Sequence, residues 1–163
     1  MGTFAVQIAK YYGAEVTALD SAMKLDMLRS IGADRVIDYM RTDYTKTGER
    51  YDRILDTVAR RSILAYWRIL NQDGMFIMVG GSRSAIFQTA FLGPLISRMG
   101  SKKLGFNPWN RNPKEDYEFF GELSEAGKVV PVIDRRVSLS EVPEALRYLE
   151  EGRVLGKAVV IMK

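Results

Sequence analysis

Residues 2–39, GTFAVQIAKYYGAEVTALDSAMKLDMLRSIGADRVIDY, decide the fold class because helix-like and strand-like patterns alternate within them. Apolar residues recur at helical spacing as far as Gly13, where the first helix is predicted to end. EVTAL (15–19) then predicts a strand, a second helix runs up to Gly32, and RVIDY (35–39) predicts another strand. Alternation of this kind indicates a parallel sheet built from βα units.

The rest of the chain continues the alternation. Strands are predicted at 51–58 (YDRILDTV), 75–81 (MFIMVGG) and 101–107 (SKKLGFN), and helices at 63–70 and 112–127. Between them we expect a turn at 71–74, and a lid-like loop with a short helix at 84–100.

The tail of the sequence differs from the earlier repeats. We expect an extended connector at 129–139, an amphipathic helix at 140–151, and a final strand at 157–163. Three apolar side chains of that helix are predicted to face inward: Val142, Leu146 and Leu149.

Composition excludes several kinds of chemistry. The 163 residues are 47% apolar and 27% charged, as in a soluble globular domain, and they include no cysteine and no histidine. Zinc sites of thiolate or imidazole and histidine-dependent nucleophiles are therefore excluded, so we predict no metal ligand and no catalytic residue. No membrane span or signal peptide is visible, which predicts a cytoplasmic protein without a membrane partner. The net charge of +4 is scattered, so no nucleic acid is expected as a partner.

Four side chains follow the carboxyl ends of the first two predicted strands, the edge at which open α/β sheets bind ligands. Asp20 can accept hydrogen bonds from ribose hydroxyls, and Ser21 lies beside it. Lys24 is one helical turn further on, and Tyr39 ends the next strand. Each also has an ordinary structural interpretation, as a helix cap, a solvated lysine or a packed strand end.

The VGG run at Val79, Gly80 and Gly81 ends a predicted central strand. Its small residues allow a flat ligand close to the backbone, whereas a tight turn is the structural alternative.

Taken in order, these blocks resemble the cofactor domain of the medium-chain dehydrogenase/reductase superfamily, in its zinc-free quinone-oxidoreductase branch. The resemblance is carried by residues 2–39, by YDRILDTV and LNQDGMFIMVGG, and by the tail ELSEAGKVVPVIDRRVSLSEVPEALRYLEEGRVLGKAVVIMK. It covers nearly the whole chain. It implies an α/β fold with a doubly wound parallel sheet of the Rossmann type, and an oxidoreductase that transfers hydride with NAD(P)H.

The resemblance also assigns roles to residues. Lys24 and Tyr39 would help to hold the 2′-phosphate of NADP, whereas Asp20 favours the free ribose hydroxyls of NAD, so both cofactors stay open. Gly2 and Thr3 would begin the helix that faces the pyrophosphate. Further cofactor contacts are expected from Thr57, Val58, Val79, Gly80 and Gly81.

This sequence departs from the family at its beginning. Family members precede GTFAVQIAK with a GroES-like domain, an apolar strand and a GxxGGV turn, of which only Gly2 is present here. We expect an N-terminally truncated product of an internal start codon, which binds NAD(P)H weakly and is inactive alone. Residues 1–135 would form the Rossmann-like domain, and 136–163 would be the helix and strand that return to the GroES-like domain. Ala59, in place of a family glycine, is expected to crowd the nicotinamide side slightly.

Two other functions stay open on the sequence. One is a class I S-adenosylmethionine-dependent methyltransferase, with Asp20 on the ribose, and the other is a non-catalytic fragment that self-associates. A homodimer is expected, because family dimers pair the last strand of the sheet, here 101–107. Lys102 and Lys103 are charges of the kind that blunt such edges.

The missing first strand would lie between EVTAL and RILDTV. An empty slot would leave several buried amides and carbonyls unpaired, at a cost of ~1–3 kcal/mol each. The total cost would exceed the whole stability of a domain. We therefore predict that residues 159–162, from the same chain or a neighbouring one, fill the slot, or that the two flanking strands pair directly.

Overall fold

The computed structural model describes residues 1–106 and 114–162. Its helices are α1 (Gly2–Tyr11), α2 (Leu25–Ser30), α3 (Ile63–Ile69), α4 (Arg83–Met99), α5 (Lys114–Glu125) and α6 (Val142–Glu150). Its strands are β1 (Thr17–Asp20), β2 (Arg35–Asp38), β3 (Tyr51–Asp56), β4 (Leu70–Met78), β5 (Lys103–Phe106), β6 (Ile133–Ser138) and β7 (Lys157–Ile161). The strand pairs β1-β2, β3-β4, β4-β5 and β6-β7 are all parallel, which confirms the predicted α/β class.

The described chain forms two compact units. The first unit, residues 1–41 and 114–162, contains the β1-β2 sheet and the β6-β7 sheet, and the second, residues 42–106, contains the β3-β4-β5 sheet. Within the two units the parallel strands form three sheets, with the alternation of strands and helices predicted for a Rossmann-type fold. The division predicted at residue 135 stays a prediction.

The first unit is built around α1 and α2, which pack on the short β1-β2 sheet. The buried residues of this cluster are Val6, Ala18, Leu28 and Ala33. On the other side of α1, Phe4 meets Phe120 of α5 edge to face, with 5.3 Å between ring centroids. The N-terminal helix is therefore fixed by contacts to both early and late parts of the sequence.

The second unit has the larger core, in which α3 and α4 cover the β3-β4-β5 sheet. Its buried residues are Ala59, Ile63, Tyr66, Leu70, Phe76, Met78, Ala85 and Leu104. The rings of Tyr66 and Phe76 stack with 4.0 Å between centroids. The continuous apolar run that predicted a central strand is confirmed, because β4 lies between β3 and β5.

Two local predictions in the second unit were wrong. The segment expected to be a loop with a short helix forms one 17-residue helix, α4, whose start is capped by the Ser82 hydroxyl. Pro94 is tolerated within it because Pro94 and the preceding turn at Ala90 are exposed, so the carbonyl that loses its partner meets solvent. The expected turn at 71–74 lies inside β4, as an irregularity in its register with β3 where Asp73 has a φ of 60°.

No helix within the described ranges, including α4, is long and apolar enough to cross a membrane.

The tail contains an additional strand. The connector expected to be merely extended forms β6, which pairs in parallel with β7. In α6, Ala145 is buried, whereas Leu146 and Leu149 are exposed, so the prediction that both leucines face inward was wrong. The predicted helix at 112–127 is seen as α5, and Asn112 and Pro113 lie outside the described residues.

Within one chain, the slot of the first strand is not filled or closed as predicted, whereas filling by a neighbouring chain stays a prediction. Residues 159–161 pair with β6, and β1 and β3 belong to different sheets. The premise of buried polar groups fails because Asp52, Arg53 and Leu55 of β3 are exposed to solvent. Just before β1, the Val16 N–H has a hydrogen-bond partner, because the carboxylate of Asp34 accepts it at 2.7 Å.

Candidate functional site

The end of β1 brings three of the predicted residues into contact. Oδ1 of Asp20 accepts the Ser21 N–H at 2.8 Å, and the Lys24 ammonium lies 3.7 Å from the same oxygen. The Lys24 side chain is largely covered, whereas a third of the Asp20 side chain is exposed. The structural interpretation of Lys24 as a freely solvated lysine is therefore wrong, and the carboxylate remains open to a ligand with its cation already beside it.

Ser21 and Tyr39 complete this strand-end group. Ser21 precedes a short 3₁₀ turn, Ala22–Lys24, but its hydroxyl makes no capping hydrogen bond there. The Tyr39 N–H donates to the Asp20 carbonyl at 3.3 Å, and its ring is 44% exposed. We name Asp20, Ser21, Lys24 and Tyr39 the β1-β2 end group, because they lie together at the carboxyl ends of β1 and β2.

The start of α1 carries Gly2 and Thr3. Gly2 has no heavy atom near the position of a Cβ, whereas Thr3 is buried. The ammonium of Lys157, at the start of β7, lies 5.5 Å from the centroid of the Phe4 ring in the same helical turn. Partial burial, followed by the charge of Lys157, lowers the pKa of the Met1 amino group. The sequence alone did not single out Lys157, because Gly2 and Thr3 lie more than 150 positions before it.

In the second unit, the ends of β3 and β4 are joined by backbone hydrogen bonds. The Val79 N–H donates to the Asp56 carbonyl, the Ala59 N–H to the Gly80 carbonyl, and the Ser82 N–H to the Ala59 carbonyl, each at 2.9 Å. This ladder places Thr57 and Val58 beside Gly80 and Gly81, as the sequence predicted. We name Thr57, Val58, Val79, Gly80 and Gly81 the strand-end loop group.

The two glycines are required by this close approach. A Cβ at Gly80 would lie 2.9 Å from the Thr57 carbonyl oxygen, and one at Gly81 would lie 2.6 Å from the Ala59 oxygen. The Ala59 side chain is completely buried in the core of the unit. The expectation that Ala59 crowds the nicotinamide side stays a prediction.

Hydrogen bonds through Asp56 connect the strand-end loop group to the buried Tyr66 and, through it, to the partly buried Tyr44. Oδ1 of Asp56 accepts the Val58 N–H at 2.9 Å, and Oδ2 accepts the Tyr66 hydroxyl at 2.7 Å. Burial, and then the Asp56 carboxylate, raise the pKa of Tyr66 above its ordinary value. Burial also raises the pKa of Tyr44, whose hydroxyl interacts with Tyr66. The sequence contains both residues of the Tyr66–Asp56 hydrogen bond, an aspartate that ends a strand and a tyrosine ten residues later. It does not show that their side chains point toward each other.

Nine of the eleven predicted residues thus form two groups on different units, and the other two, Gly2 and Thr3, lie at the start of α1 in the first unit. An open cavity of about 790 Å³ in the first unit, lined by residues that include Gln7, Lys10 and Lys128, contains none of them.

The chemistry of the available side chains does not fit a zinc ion. Cysteine and histidine are absent from all 163 residues, and no group of three or more Asp or Glu side chains is placed to hold a metal in the described part of the chain.

Comparisons with known proteins agree with this geometry. The family model described as zinc-binding dehydrogenase matches residues 31–160. The chain is 32% identical to the trans-enoyl reductase pgmF of Aspergillus terreus and 32% identical to the mitochondrial NAD(P)H oxidoreductase RTN4IP1 of Mus musculus. These matches cover 98% of this chain, and 48% and 45% of the relatives.

Among solved structures, the alcohol dehydrogenase of Aeropyrum pernix is similar, with 30% identity and a TM-score of 0.77 over 99% of this chain and 47% of that one. The chain therefore spans about half the length of the relatives that it matches. The match over residues 31–160, together with parallel βα units and the strand-end groups, places the chain in the zinc-binding dehydrogenase family of the medium-chain dehydrogenase/reductase superfamily.

Proposed function

We propose that this chain is the dinucleotide-binding portion of an NAD(P)H-dependent oxidoreductase. The observation that carries the proposal is the β1-β2 end group, in which a partly exposed carboxylate and a hydroxyl that makes no capping hydrogen bond lie together at the end of β1. Such an arrangement suits the vicinal hydroxyls of a ribose. Relatives described as oxidoreductases support the same cofactor class.

In this proposal Asp20 and Ser21 hold the adenosine ribose, and Gly2 and Thr3 face the pyrophosphate. The cofactor contacts expected from the strand-end loop group stay a prediction. The cofactor supplies the hydride chemistry when it is bound. The residues of this chain bind and orient it, and we assign no catalytic residue to them.

We further propose that NAD(H) is preferred to NADP(H). The Lys24 ammonium is already paired with Asp20, so it offers little net positive charge to a 2′-phosphate. A phosphate at that position would also meet the Asp20 carboxylate, and like charges in contact are unfavourable. The free 2′-hydroxyl of NAD instead gives that carboxylate a donor.

The activity and partners of a whole enzyme are also proposals. A substrate pocket is expected only with the other half of a longer protein. Exposed apolar residues of α6 and β7, such as Leu149 and Ile161, offer a contact surface for it. We accordingly expect no turnover by the 163-residue chain alone. A cytoplasmic location and a homodimer likewise stay predictions.

Chemical-shift mapping by NMR tests the proposal, because it detects binding even when affinity is weak. NADH is expected to shift the amide signals of Asp20, Ser21 and Tyr39, and those of Thr57 and Gly81. S-adenosylmethionine, the cofactor of the alternative methyltransferase function, is expected to shift none of them. Shifts caused by S-adenosylmethionine alone, or shifts by NADH confined to other residues, would contradict the proposal.

A further inference from the structure

The outward face of α4 is apolar, the reverse of an ordinary surface helix. Phe87, Phe91, Leu95 and Met99 recur every four residues along this face, and the Phe91 side chain is 74% exposed. The rings of Phe87 and Phe91 lie parallel, within 2°, with 6.2 Å between their centroids. The inward face is made of Ala85, Thr89 and Gly93, all buried. We name the four exposed residues the α4 apolar row.

The stretch of sequence that contains this row carries basic residues and no acidic one. Between Asp73 and Glu115 the sequence contains no acidic residue, while its basic residues are Arg83, Arg98, Lys102, Lys103, Arg111 and Lys114. Arg83 and Arg98 stand at the two ends of α4, and neither forms an ion pair with any residue in the described ranges. The surface that fits the row must therefore be both apolar and negatively charged.

This charge pattern disfavours a second copy of the chain as the occupant. Antiparallel packing of two α4 helices would bring Arg83 of one copy near Arg98 of the other, and parallel packing would bring identical arginines together. Both arrangements place like charges at the rim of the contact.

We propose that the α4 apolar row docks this protein on the surface of an anionic lipid bilayer. The four side chains protrude from the helix and so match a fluid interface, which needs no preformed groove. Arg83 and Arg98 would lie at the level of the lipid phosphates, where each basic residue adds to the attraction. An acidic protein would need a groove shaped for the protruding row, which makes it the less favoured occupant. The proposal concerns peripheral binding and departs from the sequence-based expectation of no membrane partner.

Flotation of the full 163-residue chain with lipid vesicles tests this inference. Binding is expected to vesicles of phosphatidylcholine mixed with phosphatidylserine, to be much weaker with phosphatidylcholine alone, and to fall as salt is added. The double variant Phe87→Ser/Phe91→Ser is expected to bind about a hundredfold more weakly, since each exposed ring would otherwise be buried in the interface. Arg83→Gln/Arg98→Gln is expected to bind about tenfold to thirtyfold more weakly.

Matched controls lie on the first unit. Leu139→Ser and Arg147→Gln also change exposed residues, and they are expected to leave vesicle binding unchanged. Circular dichroism would show that every variant is folded. Three results would overturn the inference: no binding to anionic vesicles, equal loss in the control variants, or self-association that depends on Phe87 and Phe91 without vesicle binding. Capture of a synthetic amphipathic helix of glutamate and leucine, again without vesicle binding, would identify an acidic protein surface instead.

Discussion

The hydroxyl of Tyr66 donates a 2.7 Å hydrogen bond to Oδ2 of Asp56, and the ring that carries it is 1% exposed. The other oxygen of the same carboxylate accepts the Val58 N–H. A single aspartate therefore ties the core helix α3 to the loop that follows β3. A substitution of Tyr66 is therefore expected to change both the stability of the second unit and the position of Thr57 and Val58.

The first prediction concerns this bond. Tyr66→Phe keeps the stacking on Phe76 but leaves one oxygen of Asp56 without its donor, so we expect a loss of about 1.5–3 kcal/mol in the free energy of unfolding. Urea denaturation followed by circular dichroism measures it. Tyr117→Phe, at an exposed tyrosine, serves as the control and should cost nothing measurable. Equal stability of the two variants would show that the buried bond contributes no net energy.

The Tyr66–Asp56 pair also shows what the sequence could and could not predict. Alternating βα patterns determine element order, because periodicity and turn residues act locally. β1, β2, β3 and β5 were predicted within a few residues, whereas β4 begins at Leu70, before the turn that was predicted to precede it. Partners of a buried hydroxyl depend on packing between distant segments, which no local pattern encodes. The same reason explains the error at α6, where helical spacing identified the apolar stripe but not whether anything covers it.

The Asp20–Lys24 contact leads to a prediction about cofactor preference. Asp20→Asn keeps the size of the side chain and removes the negative charge, so Lys24 becomes available to a 2′-phosphate. We expect the ratio of NADPH to NADH affinity to rise about tenfold, the effect of removing one like-charge contact of about 1.4 kcal/mol. NMR titration with each cofactor measures the ratio.

Lys24→Met is the matched variant for that experiment. It leaves Asp20 without a countercharge, and we expect it to weaken NADPH binding more than NADH binding. If the affinity ratio is the same in wild type and in Asp20→Asn, the carboxylate does not face the 2′ position.

Acid stability is predicted to depend on Asp34. Its carboxylate accepts both a bidentate bond from Lys10, at 2.8 and 2.9 Å, and the Val16 N–H. The hydrogen bond from Lys10, followed by that from the Val16 backbone, lowers the pKa of Asp34. Because the folded pKa is the lower one, the stabilisation is complete above about 3.9, the pKa of an unfolded aspartate, and is lost as pH falls through the folded value.

We therefore expect Asp34→Asn to be less stable than wild type near neutral pH, with the difference shrinking as the pH falls below about 3.9. Thermal melts across this range measure the difference. Asp26→Asn is the control, since its side chain is exposed and its ion pair with Arg29 lies within a single helix. A difference that does not change with pH would assign the effect to shape instead of charge.

The predicted homodimer can be tested at Ser97. Its hydroxyl accepts the Leu104 N–H at 2.9 Å and lies 3.4 Å from the Leu104 carbonyl oxygen, so one side chain of α4 satisfies both backbone groups of this β5 residue. Lys102 and Lys103 do not block pairing at the edge of β5, because their ammonium groups donate to the carbonyls of Trp67 and Ser97.

If dimers form by pairing of β5, Ser97→Ala should strengthen them by freeing the Leu104 backbone for a partner strand. Light scattering over a range of concentrations measures the mass of both proteins. A mass that falls in Ser97→Ala, or a monomer for both proteins at high concentration, would argue against pairing through β5.

The last prediction concerns Thr89, which is 1% exposed on the inward face of α4 and whose hydroxyl has no hydrogen-bond partner among the described residues. A buried hydroxyl without a partner costs about 1–3 kcal/mol relative to an apolar group of the same shape. Valine has that shape, so Thr89→Val should raise the free energy of unfolding by roughly this amount, less the small loss of helix propensity that a second methyl group brings. Thr89→Ala separates the two contributions, because it removes the hydroxyl but also a buried methyl group, and it should gain less than valine. Urea denaturation of the three proteins gives the order valine, alanine, threonine from most to least stable. A valine variant that is less stable than wild type would mean that the hydroxyl has a partner, such as a buried water, that stabilises it.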